Sequence, residues 1–190
     1  MRILFFGLVL TWMGSAAASD LKWSQGVVVM ANGEVRQGEL DFQFSEVVLF
    51  KAAGEVSVLN AIKLQSFRYY DQEKNINRKF ISRVSGKQAI FYEVVVYGEV
   101  AVLRKPKFSL FHNRENSDRD GYDYFVSFQN NLSNLKQFRT KVYPTLVEYK
   151  GDIRLTISER HLNPNHQSDA IQIIQIYNKE TSAETLVAGI

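Results

Sequence analysis

The chain contains no cysteine, which excludes disulfides, thiol catalysis and cysteine-ligated zinc together. It has only three prolines and three histidines. No Gly-x-Ser-x-Gly nucleophile elbow and no phosphate-cradling glycine loop occurs. Beyond the first twenty residues, no apolar run approaches the roughly 18 residues that a spanning helix needs. Charge of one sign is lacking too: 23 basic residues face 20 acidic ones, a formal net charge of +3. That excess is too small to argue for nucleic acid, and none is expected as a partner.

What is present begins with "MRILFFGLVLTWMGSAAASD". Arg2 supplies a positive start, Ile3 to Met13 an apolar run, and Ala16 to Ala18 the small residues of a cleavage site. The pattern predicts a signal peptide over residues 1–18, hence a periplasmic or secreted protein without a membrane span. Without a disulfide, such a protein relies on its core, and a chain of this length buries roughly 70% of its unfolded surface.

From 19 to 130 the pattern is one of strands. In "GVVVMANGEVRQGEL", a β-branched run, an Asn32-Gly33 turn and the alternation Val35, Gln37, Glu39 predict a hairpin with positive φ at both turn residues. "GEV" recurs at Gly54 and Gly98, marking two further reversals. Strands are predicted at Leu64–Tyr70, Lys79–Val84, Phe108–Phe111 and Tyr122–Phe128. The aromatic residues Phe42, Phe44, Phe50, Phe67, Tyr69, Phe91 and Tyr97 fall on these strands and are assigned to the core. From 131 to 180 the period changes. Leu135, Phe138, Val142, Leu146, Tyr149, Ile153 and Ile157 recur at helical intervals, with Ser133 or Asn134 as the cap. Breaks are predicted near Tyr143, ahead of Pro144, and at Gly151. "HLNPNHQS" ends the segment, Ser168 caps a last helix from Asp169 to about Lys179, and 181–190 is a tail. The predicted fold class is α+β: an antiparallel β-sheet or small barrel-like N-terminal part followed by C-terminal helices.

Four features carry possible chemistry. "NSDRDGYDYFVS" places Asn116, Asp118, Asp120 and Gly121 as a calcium loop would. Its twelfth position is Ser127, however, and Arg114 and Arg119 bring the wrong charge, so a connection between strands is preferred and no metal is assigned. His161 and His166 flank "LNPN" near Asp169, but across a proline turn they lack the fixed spacing of a helical zinc pair. "NRKF" (Asn77–Phe80) and "RKPK" (Arg104–Lys107) are assigned to solvated strand ends rather than a polyanion site. Glu93, among apolar neighbours in "FYEVVVYG", is either a raised-pKa acid or, as preferred, a carboxylate facing solvent or paired with a cation.

Together "GVVVMANGEVRQGEL", "FRYYD", "FYEVVVYGEVAVL" and "IQIIQIYN" resemble the exported proteins of unknown function common in Bacteroidetes-type bacteria. The resemblance covers Gly26 to Asn178, implies an envelope or secreted location, and assigns no catalytic or cofactor-binding residue. The function expected is a non-enzymatic binding or accessory module with an envelope protein or a glycan as partner. The alternative is a carboxylate-dependent hydrolase using Glu93 in a pocket between sheet and helices. Neither pattern fixes an oligomeric state.

Overall fold

The computed structural model describes residues 21–44, 46–107, 121–149 and 153–188. The signal segment 1–18, the strand expected at Phe108–Phe111, His112, the Asn116–Asp120 stretch and the break at Gly151 lie outside these residues. Among the described residues, ten strands form one antiparallel sheet: β1 (Ser24–Met30), β2 (Val35–Phe44), β3 (Val47–Ala52), β4 (Glu55–Asn60), β5 (Leu64–Asp71), β6 (Ile76–Ser85), β7 (Gln88–Val96), β8 (Ala101–Pro106), β9 (Tyr122–Phe128) and β10 (Asn131–Asn134). Their order is β10-β9-β8-β7-β6-β5-β1-β2-β3-β4. All neighbours are consecutive hairpins except at β5, which returns to pair with β1 and leaves β4 on an outer edge.

The predicted turns sit between these strands, with geometry that differs in two cases. At the first, Met30 N–H donates to Glu34 and Gly33 N–H to Met30, and Gly33 has positive φ while Asn32 does not. This is a three-residue connection with a glycine bulge, because the longer loop lets Asn32 keep an ordinary conformation while its side chain accepts from Glu34 N–H. At the second, Ala53 and Gly54 both have positive φ, the two-residue turn suited to strand twist.

The first seven strands curl upon themselves. Phe42 on β2 lies 5.1, 4.6 and 6.0 Å, ring centre to ring centre, from Phe67, Phe80 and Phe91 on β5, β6 and β7. In a flat sheet with strands about 4.8 Å apart, β2 and β7 would be separated by about 19 Å. The tight bend is made where Gly26 and Gly38 pair. A Cβ on either would stand 2.4 Å from the carbonyl oxygen of Arg68 or Lys51 on the next strand, so only glycine fits. Inside the curl, Val28, Leu40, Val48, Phe50, Leu59, Leu64 and the aromatic stack are buried. The short 3₁₀ turn Ala61–Lys63 packs across β5, β6 and β7 and closes it, with Ser82 donating to the Ala61 carbonyl at 2.6 Å.

The same sheet face continues over β8 and β9, where helices cover it: α1 (Phe138–Lys141), α2 (Tyr143–Tyr149), α3 (Ile153–Glu159) and α4 (Gln167–Ala188). Leu135, Phe138, Val142, Leu146, Ile153 and Ile157 are buried as their periodicity predicts, whereas Tyr149 faces solvent. They pack with Ala170, Ile173, Ile174 and Tyr177 of α4 on Val102, Val126 and Phe128. Asn134 caps the 3₁₀ turn that starts this region, accepting from Lys136 N–H at 2.9 Å. The break before Pro144 falls at Val142.

Three expectations are corrected here. "NLSN" at 131–134 is an added edge strand rather than helix, because its backbone is captured by β9 through the tight turn at Gln129-Asn130. Ser168 does not open the last helix: α4 starts at Gln167, and the Asp169 carboxylate takes the N–H of Asn163 and the Ser168 hydroxyl. The segment from 181 is not a tail: its first eight residues continue α4, which runs to Ala188. No proline or glycine interrupts it before Gly189, and Thr181 and Ser182 bond back to the carbonyls of Tyr177 and Asn178 one turn earlier.

Candidate functional site

Four places on this scaffold combine geometry with chemistry: a half-buried charge cluster, the edge of β4, which no described strand pairs, and two surface recesses. The cluster lies on the inner face between the aromatic stack and the helix-covered half. Arg104 on β8 stands directly opposite Glu93 on β7, and Arg78 on β6 reaches the same carboxylate diagonally. Arg78 forks onto it with Nε to Oε1 at 2.9 Å and Nη2 to Oε2 at 2.7 Å, while Arg104 Nε reaches Oε2 at 2.9 Å. Asp71 takes the remaining Arg78 arm at 3.3 Å. Arg104 stacks 4.3 Å from the ring centre of Tyr122, and Arg78 lies over Phe80 and Tyr69.

The two basic stretches expected at solvated strand ends thus contribute their arginines to the interior. The period-2 alternation of strands turns Arg78 and Arg104 to the same face as Glu93. Burial alone would raise the Glu93 carboxyl, but the hydrogen bonds and charges of Arg78 and Arg104 outweigh it and hold it below its ordinary value. Glu93 is therefore paired, not a raised-pKa acid. Burial acts against Arg78 as well, and Glu93 more than restores its affinity for the proton. Burial pushes Tyr69 up to about 12, with Arg78 pulling the other way. Two guanidinium groups and two carboxylates balance, which makes the cluster a filled ionic network joining β5 to β8.

The edge of β4 is the opposite case. Ala61 N–H donates to Glu46, which fixes the ladder: Glu55, Ser57, Leu59 and Ala61 bond to β3. The N–H and C=O groups of Val56, Val58 and Asn60 therefore point away from the sheet. Val56 and Val58 are 55% and 58% exposed, and Ile62 just beyond them is exposed as well. The strand carries no Pro, Lys or Arg. The other edge, β10, is only four residues long and runs straight into the helical region.

The two recesses are of different kinds. A cleft of about 670 Å³ lies between α3 and α4, lined by Thr156, Arg160, Gln172, Gln175 and Lys179. One of about 410 Å³ lies on the outer sheet face beside the β7–β8 turn. Glu93 lines neither.

The other sequence-predicted residues are placed as follows. The Asn116–Asp120 segment joins β8 to β9, which pair as antiparallel strands, where a calcium loop would need helices on both sides. His166 Nδ1 stands 3.7 Å from Asp169, whose carboxylate is already bonded within the turn, and His161 takes a positive-φ turn position. Among the described residues no three His, Asp or Glu side chains gather as metal ligands. Phe42, Phe50, Phe67, Tyr69 and Phe91 join the core, but Tyr97 does not: it is 78% exposed, because the chain leaves the sheet at Val96.

One residue had no signal in the sequence beyond its place in "IYN". Asn178 is buried, accepts from Val100 N–H at 3.0 Å and donates to the Val100 carbonyl at 2.8 Å. It pairs with the β7–β8 connection as a strand would and pins α4 to the sheet. Gly98 lies beneath it, where a Cβ would stand 2.3 Å from the Asn178 side chain. No family model, curated protein or solved structure matches the chain.

Proposed function

We propose that this chain is an exported, non-enzymatic binding module that captures an extended segment of an envelope protein along β4. The observation that carries this is the edge of β4, which pairs with no further strand among the described residues. Exposed strand edges template further strands, and proteins commonly block them with lysine, proline or bulges. Here the three outward residues offer alternating donors and acceptors, and Val56 and Val58 offer side-chain contacts on one face, the requirements for strand addition. The neutralised Glu93 cluster supports the same reading, since the acid on which hydrolysis would rest is held ionised between two arginines.

The test uses a photo-crosslinking residue at Ser57 and the substitution Val58→Pro. Proline at 58 removes an outward N–H and leaves the bonds to β3 intact. Crosslinking in native envelope should trap one discrete protein through an extended peptide, and Val58→Pro should abolish it. Crosslinks only to a second copy of the chain, or crosslinks unchanged by Val58→Pro, would contradict the proposal.

A further inference from the structure

We propose that the recess beside the β7–β8 turn binds an acidic saccharide. It stands apart from the β4 edge and does not depend on it. Its volume, about 410 Å³, lies within the roughly 300–1,000 Å³ of small-molecule sites. Ile81, Val94 and Ala101 supply apolar surface, and Tyr97, Arg83, Gln129 and Asn130 line it with polar groups.

Three observations define the ligand. Tyr97 is a large aromatic ring at 78% exposure, whereas Phe42, Phe50, Phe67, Tyr69 and Phe91 are packed into the core. The electron-rich face of such a ring matches the row of polarised C–H groups on one side of a pyranose. Second, Lys79 stands 4.5 Å from the Tyr97 ring centre, and neither Lys79 nor Arg83 makes an ion pair among the described residues. Lys79 also sits directly opposite Arg68, a like-charge pairing that costs stability in a sheet until an anion arrives. Glu99, the acid lining the recess, accepts the Tyr177 hydroxyl at 3.4 Å.

Third, the rim is strained. Gln129 and Asn130 have φ of 49° and 64°, a turn conformation that Asn-Gly adopts at far lower cost. Glutamine is strained in that conformation, and such strain gathers at ligand clamps. Two primary amides side by side donate to and accept from vicinal hydroxyls. Ring face, amides and a guanidinium together match a sugar ring bearing a carboxylate.

Calorimetry on the full chain tests this with oligogalacturonate, a neutral malto-oligosaccharide of the same length, and sodium phosphate at matched ionic strength. Oligogalacturonate should bind at least about tenfold tighter than either comparator. Tyr97→Ala and Arg83→Gln should each weaken it at least about tenfold, with melting unchanged because both side chains are exposed. Tyr149→Ala, an exposed aromatic elsewhere, should change nothing. Absence of oligogalacturonate binding, equal binding of phosphate or the neutral sugar, or indifference to Tyr97→Ala would each overturn the proposal.

Discussion

At the scale of single residues, Glu93 dominates. It is 6% exposed and held by two arginines, so removing its charge leaves the half-buried Arg104 without a carboxylate and Arg78 with Asp71 alone. Glu93→Gln should cost about 3–5 kcal/mol in urea unfolding at neutral pH. The pH dependence has a definite sign. The folded carboxyl titrates below its ordinary value of 4.5, so the folded state binds fewer protons than the unfolded one. Its contribution is fully present above pH 4.5 and is lost as pH falls through the folded value. Glu93→Gln should therefore lose less stability than the wild type between pH 5 and pH 3. Equal acid sensitivity would contradict the pairing. Sequence reasoning found Glu93 because a lone acid in an apolar strand is visible locally. It missed Arg78 and Arg104, because which face of a strand is covered depends on strands far away in the chain.

Among the elements, the junction of α4 with the β7–β8 connection is pinned by the paired hydrogen bonds of Asn178 with Val100, beside the longer Tyr177–Glu99 bond. Asn178→Ala leaves a buried N–H and C=O of Val100 without their partners, which should cost about 1–3 kcal/mol for each group left unsatisfied. Gly98→Leu places its side chain in the same space and should destabilise similarly. Amide exchange along α4 should accelerate in both variants before exchange in β5 or β6 does. The bounds of β9 and the break at Val142 were legible from sequence, since alternation and proline act over a few residues. β10 was not, because "NLSN" has no β-branched residue and becomes a strand only through its pairing with β9. The extension of α4 to Ala188 was not legible either, because Thr181 and Ser182 are weak helix formers and read locally as a loop, although no proline or glycine stops the helix before Gly189.

Seen as a whole molecule, one sheet serves two cores on its inner face and a smaller cluster, Ile90, Tyr92 and Leu103, on its outer one. β1 to β7 curl around an aromatic stack, and β8 to β10 carry the helices, with the Arg78–Glu93–Arg104 network at the seam. Gly38→Ala forces a Cβ against the Lys51 carbonyl at the bend, and the first core should loosen by about 1–3 kcal/mol, read as a lower urea midpoint. The α+β class was legible because strand and helix periodicities occupy different stretches of the chain. Strand order was not. Local hairpins suggest a simple meander, and only the return of β5 to β1 leaves β4 with a free edge. That edge is the centre of the functional proposal. Residue-resolved hydrogen exchange on the isolated protein measures it directly. Val56, Val58 and Asn60 should exchange rapidly while Ser57, Leu59 and Ala61 are protected, an alternation set by which amides point outward. Equal protection at all six would mean that the edge is already occupied, and the binding role assigned to β4 would fail.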